Sequence, residues 1–378
     1  MGVRYIPEKT KIILWGLAAG RCQYDGCNEK LFEDPLTKAI FNQSYIAHII
    51  ADSPGGPRGD LILSEKLKTD LTNLMLLCDR HHRLIDIEDE AGHSIDRLVL
   101  MKRNHEDRIR LLTAISDEKR SNIVLFGANI GKHDSSLTLK CAQEGIVPFR
   151  YPADAECIEL SLKNSSPQDH TPEYWQTERA NLEALFERKI TQLRAERPMK
   201  HYSIFGLAPQ PLLILLGTLF GDIYPADVYQ RKKEPESTWA WLEDDPTELE
   251  YQINGPKKKT DYVALKLSLS APIADNRVTK VIGTDSSIWE LTVNHPNNDL
   301  IRKREHLSEY RRVVRSLLDQ IKLHHGEDVK IHVFPAMPVS TSIELGRVWN
   351  PKSQLALVLY DQNPKSGGFG KAFEISYA

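Results

Sequence analysis

The chain has 378 residues, enough for roughly two or three domains and for cores that need no disulfide support. Hydrophobic residues make up 41% of the sequence and charged residues 27%, a globular balance that excludes a disordered or low-complexity chain. With 49 Lys and Arg against 52 Asp and Glu, the net charge of −3 excludes nucleic-acid binding by bulk charge alone.

The first 115 residues or so are predicted to be rich in loops and to carry two helices. One helix opens near Pro7 and ends near Gly20, and the other covers residues 94–112. The polar segment at residues 116–121 marks a domain boundary. We therefore expect an N-terminal domain at residues 1–117 and a second domain at residues 118–378.

Beyond the boundary, predicted strands alternate with predicted helices. Apolar residues recur every three or four positions in helices at residues 172–196 and about 300–324. The predicted strands are residues 123–126, 157–162, 202–207, 263–269, 287–293, 329–334, 355–360 and 373–377. This alternation predicts an α/β fold with helices on the faces of a sheet, and the length suits two α/β halves.

The cysteine pattern and the hydropathy of the sequence predict the cellular compartment of the protein. Five scattered cysteines form no secreted disulfide framework, and the N-terminus lacks the apolar stretch of a secretory signal. The most apolar run, residues 211–220, is too short to span a bilayer. We expect a soluble cytoplasmic protein without membrane contact, in which clustered cysteines indicate metal rather than disulfide.

Four residues have the spacing of a zinc site. Cys22 and Cys27 are separated by four residues, and Cys78 and His81 by two, so each pair is close enough to chelate one ion. Two such pairs supply the four corners of a tetrahedral structural Zn²⁺ site. The alternative is three ordinary buried cysteines and a surface histidine.

Three further residues interleave with these pairs. His48, Asn73 and His82, in this order and with His82 directly after His81, resemble the HNH endonuclease family over residues 20–90. The resemblance implies a ββα-metal unit around one catalytic divalent cation, Mg²⁺ or another. It makes His48 the general base that activates water, a task that suits the ordinary pKa of imidazole. Asn73 would orient His48 or brace the hairpin, and His82 would ligate the catalytic cation.

One position departs from the HNH pattern. Many members carry an aspartate that ligates the metal directly before the base histidine, and this chain has Ala47 there. Asp52, Asp60 and Asp86 remain as alternatives for the second protein ligand. Asp86, four residues after His82, is also placed to orient a histidine rather than the metal.

The C-terminal region contains an ordered series of segments at residues 205–217, 229–231, 238–241, 333–342, 345–347 and 357–361. In this order the segments resemble a SAVED domain, a pair of fused CARF-like Rossmann subdomains that binds cyclic oligonucleotides. Loops at the carboxyl ends of parallel strands are where such sheets bind nucleotides. The candidate ligand-binding residues are Tyr229, Trp239 and Trp241 for base stacking, and Phe334, Pro335, Ser340, Thr341 and Ser342 for phosphate. For each aromatic residue, core packing is the alternative.

An HNH unit followed by a SAVED domain resembles the nuclease effectors of CBASS, the bacterial cyclic-oligonucleotide anti-phage systems. The resemblance implies a cyclic di- or trinucleotide messenger from a cGAS-like nucleotidyltransferase, and double-stranded DNA as substrate. Acidic and basic residues nearly balance over residues 1–110, which favours activation by assembly of a homo-oligomer, a dimer that grows on activation. The alternatives are a non-catalytic zinc-containing regulator that binds DNA or protein, and a restriction-type HNH enzyme that reads modified DNA.

Overall fold

The structure, a computed structural model, describes residues 5–128, 137–162, 171–363 and 368–376. The chain divides into two compact units, an N-terminal unit at Met1–Ser116 and a C-terminal unit at Asp117–Ala378. Each unit has a hydrophobic core of its own. None of the described helices combines the length and the apolar character that crossing a bilayer requires.

A two-stranded sheet followed by a short helix forms the centre of the N-terminal unit. Its elements are α1 (Glu8–Leu17), β1 (Ser44–His48), α2 (Leu63–Leu67), β2 (Leu74–Cys78), α3 (Asp79–Arg83) and α4 (Ile95–Thr113). β1 and β2 are antiparallel, with Ser44 opposite Cys78 and His48 opposite Leu74. Every residue of β2 is buried, which fits its nearly unbroken apolar sequence. The strand, strand and helix order is what the predicted ββα unit requires, while its identity as a nuclease stays a prediction.

Local signals account for the ends of the two longer helices. α1 starts directly after Pro7 and stops before Gly20, whose φ of +63° favours glycine. A Cβ at Gly20 would also lie 2.8 Å from the Phe32 ring. α4 begins after Ser94, whose Oγ accepts a hydrogen bond from the amide of Arg97 at 3.3 Å.

The C-terminal unit contains two α/β subdomains. The elements of the first are β3 (Arg120–Gly127), α5 (Leu139–Ile146), β4 (Tyr151–Pro152), β5 (Ile158–Glu159), α6 (Pro172–Phe186), α7 (Leu193–Glu196), β6 (Tyr202–Leu207), α8 (Gln210–Phe220) and β7 (Ala226–Val228). Those of the second are β8 (Tyr251–Asn254), β9 (Val263–Ser268), α9 (Asp275–Ile282), β10 (Ser287–Val293), α10 (Arg304–His325), β11 (Ile331–Ala336), α11 (Val339–Val348), β12 (Leu357–Asn363) and β13 (Gly368–Ile375).

Parallel strands form the centre of both sheets. The first sheet has the order β4-β3-β6-β7 with β5 also paired to β3, and all its pairs are parallel. The second has the order β13-β12-β11-β9-β10-β8, in which only the two edge strands, β13 and β8, are antiparallel to their neighbours. Central strands of parallel sheets are buried on both faces, which explains the apolar run of β3. The predicted α/β class is confirmed.

Helices α8 and α11 join the two subdomains through an unusually close contact. A Cβ at Gly217 of α8 would collide with the carbonyl oxygen of Ile343, and a Cβ at Gly346 of α11 would collide with that of Ile214. Each glycine therefore admits the backbone of the other helix. Because α8 follows β6 and α11 follows β11, this contact fixes the carboxyl ends of those two strands relative to each other.

The structure differs from the predicted elements mainly at short segments. The predicted strand at residues 157–162 is reduced to β5, and the strands β4, β7 and β8 were not predicted because two to four residues carry too little periodicity. The helix predicted over residues 172–196 contains a π-helical stretch, Glu187–Gln192, between α6 and α7. Of the last predicted strand, residue 377 lies outside the described residues.

Candidate functional site

The four predicted zinc ligands lie together in the N-terminal unit. Ligand atoms of Cys22, Cys27, Cys78 and His81 are all within 4.8 Å of one another. The Nδ1 atom of His81 is 3.6 Å from Cys22 Sγ and 3.2 Å from Cys78 Sγ. A tetrahedral zinc ion with bonds of about 2.3 Å to sulfur separates its ligand atoms by about 3.7 Å. The donor set and its spacing therefore fit Zn²⁺, with Nδ1 as the histidine ligand.

Burial makes these thiols poor acids in the absence of a cation. It raises the pKa of Cys22 and of Cys78, since a thiolate loses its hydration there. Burial also lowers the pKa of His81, which keeps the imidazole neutral and able to ligate. Because a bound cation would reverse the cost of the two buried thiolates, the cluster has the chemistry of a metal site.

Aromatic contacts hold His81 in position. The Tyr24 ring stacks on the His81 ring with centroids 4.1 Å apart. The Tyr24 hydroxyl is 3.0 Å from Nε2 of His93, and Nδ1 of His93 is 2.6 Å from the carbonyl oxygen of Asp89. Since a carbonyl only accepts, His93 donates through Nδ1 and accepts the Tyr24 hydroxyl at Nε2.

His48 occupies the last position of β1 and is held in one tautomer. Its Nε2 lies 2.9 Å from the carbonyl oxygen of Lys68, so Nε2 carries a proton, and in the neutral form of the ring Nδ1 holds the lone pair. The residue is 9% exposed. In that neutral form, Nδ1 is the nitrogen available to act as a general base.

Asn73 braces the segment after β1 instead of contacting the His48 ring. Its Oδ1 accepts a hydrogen bond from the Ile50 amide at 2.8 Å, and its Nδ2 donates to the Ile50 carbonyl at 2.9 Å. Nδ2 also lies 3.2 Å from the carbonyl oxygen of Leu67, at the end of α2. Of the two roles that the resemblance implies for Asn73, these bonds favour bracing.

His82 lies on α3 against β1. Its ring stacks on Tyr45 of β1 with centroids 5.0 Å apart, and its Nε2 is 3.4 Å from Oδ2 of Asp86. A carboxylate beside one ring nitrogen of a histidine is the arrangement that orients metal-bound histidines. The side chain of His82 remains 27% exposed, so a cation can reach it.

Arg58 is a site residue that the sequence reasoning missed. Its side chain is 6% exposed, and its guanidinium donates to the Ile49 carbonyl at 2.7 Å, the Ile85 carbonyl at 2.6 Å and Asp86 Oδ1 at 2.6 Å. It therefore ties the segment directly after β1, which ends at His48, to the π-helical segment Leu84–Glu88 that directly follows α3, the helix of His82. In the sequence, the only indication of this role is that Arg58 is a single basic residue inside a Gly- and Pro-rich loop.

The three candidates for a second metal ligand differ in their surroundings. Asp86 is engaged by Arg58 and His82, as an orienting carboxylate would be. Oδ1 of Asp60 accepts the amides of Ile62 and Leu63, which places it in a turn. Asp52 is half-buried in the loop after β1.

In the C-terminal unit, the chain order of the strands creates two topological switch points. From β3 the chain moves to β4 on one side, whereas from β6 it moves to β7 on the other side. The same reversal separates β9 and β11. Open α/β sheets bind ligands outside the carboxyl ends of strands at such points.

The ends of β6 and β11 meet at these switch points. Nε2 of Gln210 donates to the carbonyl oxygen of Met337 at 3.1 Å, which links the start of α8 to the segment after β11. Oε1 of Gln210 and Oγ of Ser270 are buried and have no hydrogen-bond partner among the described residues. Since buried polar atoms are normally satisfied, each of these two atoms requires a hydrogen-bond partner, which an ordered water or a polar ligand can supply. Neither residue was predicted from the sequence.

The predicted stacking residues Tyr229, Trp239 and Trp241 are core residues in this structure rather than an open surface. Tyr229 is 1% exposed and stacks on Phe205 with centroids 4.5 Å apart, while Trp239 meets the same ring edge-on. Aromatic packing accounts for this burial. A base could reach any of these rings only if the packing opened.

The predicted phosphate-binding residues are also covered. Phe334 is buried on β11, where it stacks on Tyr360, and Pro335 follows it within the strand. Ser340, Thr341 and Ser342 are fully buried in the first turn of α11. The hydroxyls of Thr341 and Ser342 bond the Pro338 carbonyl, while that of Ser340 bonds Gln230. These three hydroxyls are therefore hydrogen-bonded within the protein at the start of α11. The sequence had predicted that they would be free to donate to a phosphate.

Comparison with known proteins identifies the C-terminal region. No curated protein matches the sequence. Among solved structures, two structures of an Acinetobacter baumannii Cap4 SAVED/CARF-domain containing receptor are similar. The one with the cyclic trinucleotide 2′3′3′-cAAA has 12% identity and a TM-score of 0.45, over 85% of this chain and 63% of the receptor. The one with 3′3′3′-cAAA has 13% identity and a TM-score of 0.44, over 84% and 71%.

A Moraxella osloensis Cap4 receptor has 14% identity and a TM-score of 0.36, over 79% of this chain and 60% of the receptor. The chain thus spans less than two thirds of the first A. baumannii receptor and of the M. osloensis receptor. The family model described as "SMODS-associated and fused to various effectors sensor domain" matches residues 182–375, about half of the chain and within the region predicted for it. The chain belongs to the SAVED family.

Proposed function

We propose that the chain is a metal-dependent HNH endonuclease for double-stranded DNA, activated when a cyclic di- or trinucleotide binds its SAVED domain. The messenger would come from a cGAS-like nucleotidyltransferase, and the activity would serve anti-phage defence. The observation that carries the nuclease assignment is the placement of His48 at the end of β1, with its Nε2 2.9 Å from the Lys68 carbonyl and with His82 stacked on Tyr45 of the same strand. The sensing assignment rests on membership of a sensor-domain family and on the two switch points of the C-terminal unit.

In the proposed reaction, Nδ1 of His48 takes a proton from water as the water oxygen attacks the scissile phosphorus. The bond from phosphorus to the leaving deoxyribose oxygen breaks, and that oxygen is protonated from solvent. Arg58 and Asp86 tie together the segments that directly follow β1 and α3, so that the base at the end of β1 and the metal-binding ring on α3 keep their spacing. A divalent cation such as Mg²⁺ held by His82 would supply charge stabilisation at the phosphate.

The zinc site has a structural role in this proposal. Cys78 ends β2 and His81 lies on α3, while Cys22 and Cys27 come from the loop after α1. Zn²⁺ held by these four residues would fix α3, and with it His82, against the sheet. Structural zinc contributes directly to the folding of small units of this kind.

Messenger binding is proposed to act through assembly. The N-terminal unit has balanced charge, so a single copy has little electrostatic attraction to DNA. Several copies held together bind one duplex with avidity. Sedimentation of the full chain is expected to show a dimer without messenger and a larger oligomer with it, and an unchanged sedimentation coefficient would contradict this step.

The experiment that tests the nuclease assignment compares two histidine variants of the full chain. His105 is buried in α4 and its Nε2 also bonds a backbone carbonyl, that of Ala18 at 3.0 Å, so it is a matched control. With Mg²⁺ and a messenger panel, we expect His48→Ala to lower plasmid cleavage by at least about 100-fold and His105→Ala to retain it. A fully active His48→Ala variant would contradict the assignment.

One observation favours a second candidate, a non-catalytic regulator that binds DNA or protein. Ala47 stands where a metal-ligating aspartate is expected, and it is 1% exposed, so no side chain reaches a cation from there. Purified chain that binds zinc and DNA but nicks no DNA with Mg²⁺ and any member of the panel would establish this alternative.

A further inference from the structure

Lys232 is a fully buried lysine without a carboxylate partner. Its side chain is 0% exposed, and its Nζ donates one hydrogen bond, to the carbonyl oxygen of Gln230 at 3.2 Å. Nζ also lies 5.0 Å from the centroid of the Trp241 ring. Among the described residues, no carboxylate lies within ion-pair distance of it. An ammonium has three N–H groups, so most of its hydrogen-bonding capacity is unused.

The neighbouring Trp241 has an unused donor as well. The residue is 8% exposed, and its Nε1–H is buried without a hydrogen-bond partner among the described residues. Buried donors without acceptors are costly and rare in folded proteins. The buried ammonium of Lys232 and the neighbouring indole N–H of Trp241 therefore both lack a hydrogen-bond acceptor. A negatively charged group with several acceptor atoms would satisfy both.

The position of this pair connects it to the carboxyl ends of the strands. Lys232 comes four residues after the end of β7, and Gln230, which accepts its hydrogen bond, also reaches α11. Oε1 of Gln230 accepts hydrogen bonds from the amide of Ser340 at 3.1 Å and from its hydroxyl at 2.7 Å. Ser340 opens the helix that follows β11, so the pair lies beside the β9/β11 switch point.

An exposed loop adjoins the pair. Lys232 and Thr238 are bridged by two backbone hydrogen bonds of 2.8 and 3.1 Å, and residues 233–237 between them are exposed. The start of the loop is anchored to Asp299, whose carboxylate accepts the amides of Lys233 at 3.1 Å and of Glu234 at 3.2 Å. The loop belongs to neither sheet, and local opening is concentrated in exposed loops of this kind.

We propose that the 233–237 loop opens and that Lys232 and Trp241 then form an anion subsite that receives a phosphate of the cyclic messenger. This inference rests on the proposed function of the SAVED domain. The ammonium would bind one phosphate oxygen and the indole N–H another. The subsite would therefore contact the sugar–phosphate backbone of the messenger and not its bases. Trp241 thereby acts as a hydrogen-bond donor, with its ring faces remaining packed.

Lys266 is the matched control. It is a second buried lysine of the same unit, 6% exposed, but its Nζ is paired with Asp275 at 2.6 Å and Glu290 at 3.2 Å. It also donates to the Ile273 carbonyl at 3.0 Å. Because the charge of Lys266 is neutralised by two carboxylates of the protein, we expect it to bind no further anion.

The test measures binding of cyclic di-AMP, cyclic di-GMP, cyclic GMP-AMP and cyclic tri-AMP to the full chain by calorimetry. For whichever of these the wild type binds, Lys232→Met should weaken binding by at least about tenfold, the range of one charge-assisted hydrogen bond. Trp241→Phe, which keeps a ring but removes the N–H, should weaken it by a smaller factor. Lys266→Met should bind like the wild type.

The salt dependence of binding provides a readout that a purely structural role would not change. Removing one phosphate contact should lower the slope of log Kd against log salt for Lys232→Met, and Lys232→Arg should restore part of it. Wild-type affinity and slope in both Lys232→Met and Trp241→Phe would overturn the subsite alone. No binding of any panel member by the wild type would overturn the proposed sensing function and the subsite with it.

Discussion

Replacing each of the two buried lysines by methionine should change stability in opposite directions. Burial lowers the pKa of Lys232 to about 8 from its ordinary 10.5, with Arg302 lowering it further and Asp299 opposing this. A difference of 2.5 pH units corresponds to about 3 kcal/mol by which the charged lysine destabilises the native state. Methionine keeps the apolar stem and removes the charge, so Lys232→Met should raise the free energy of unfolding by up to about 3 kcal/mol at pH 7.

Lys266→Met should instead destabilise the fold. The substitution leaves Glu290, whose side chain is 21% exposed, without its cation, whereas Asp275 is 61% exposed and regains water. Breaking a largely buried ion pair from one side costs about 2 kcal/mol when one partner is rehydrated.

The pH dependence follows from the direction of the Lys232 pKa shift. Below pH 8 both the native and the unfolded states hold the proton, so the full penalty is present. Between pH 8 and 10.5 the native state releases the proton while the unfolded state keeps it, and the native state gains stability as pH rises. The difference between Lys232→Met and the wild type should therefore shrink across this interval.

Urea unfolding followed by tryptophan fluorescence measures these changes, since five of the six tryptophans lie in the C-terminal unit and only Trp15 lies outside it. Urea leaves the ionic strength constant, so the electrostatic contribution is not screened during the titration. If Lys232→Met lost as much stability at pH 7 as Lys266→Met, the charge of Lys232 would not destabilise the native state. Lys232 would then have a stabilising partner within the protein.

Four other variants test the packing and the N-terminal site. Gly217→Ala or Gly346→Ala should each lower the stability of the C-terminal unit by at least about 1–3 kcal/mol in urea unfolding, and a cost no larger than that of Gly255→Ala, where a Cβ has room, would contradict the tight α8–α11 contact. Arg58→Met should lower DNA cleavage more than tenfold and reduce the thermal midpoint of the N-terminal unit; unchanged values of both would show that its three acceptors need no guanidinium. Native mass spectrometry should find one zinc per chain and none in Cys78→Ser, and zinc retained at full stoichiometry in that variant would contradict the predicted ligand set.

Short-range spacing predicted that Cys22, Cys27, Cys78 and His81 lie together, while the zinc itself stays a prediction. Cys22 with Cys27 and Cys78 with His81 are each close in sequence, so each pair has few possible geometries, and the fold only had to bring two pairs together. The strand at Ser287–Val293 was predicted with its observed bounds because it alternates buried and half-buried residues along its length.

Long-range contacts could not be predicted in the same way. Arg58 contacts Ile85 and Asp86, 27 and 28 residues away, and nothing in the sequence around Arg58 indicates these partners. Gln210 and Ser270 matter because the switch points bring strand ends together, which depends on the strand order and not on local pattern.

The aromatic residues illustrate a different limit. Tyr229 and Trp239 lie in polar-looking segments after short elements, where an exposed ring and a packed ring have the same sequence pattern. Their packing on Phe205 of β6 depends on how the segment after β7 folds back over the sheet. Burial of such rings is a tertiary property that composition and periodicity do not encode.

The central claim is that a cyclic oligonucleotide switches on a nuclease within the same chain. The most direct measurement is the rate of plasmid cleavage by the full chain with Mg²⁺, in the absence and in the presence of each member of the cyclic nucleotide panel. We expect the wild-type chain to cleave DNA only with a cognate messenger, and His48→Ala to show no cleavage under the same conditions. Equal cleavage by the wild-type chain with and without every messenger would contradict it.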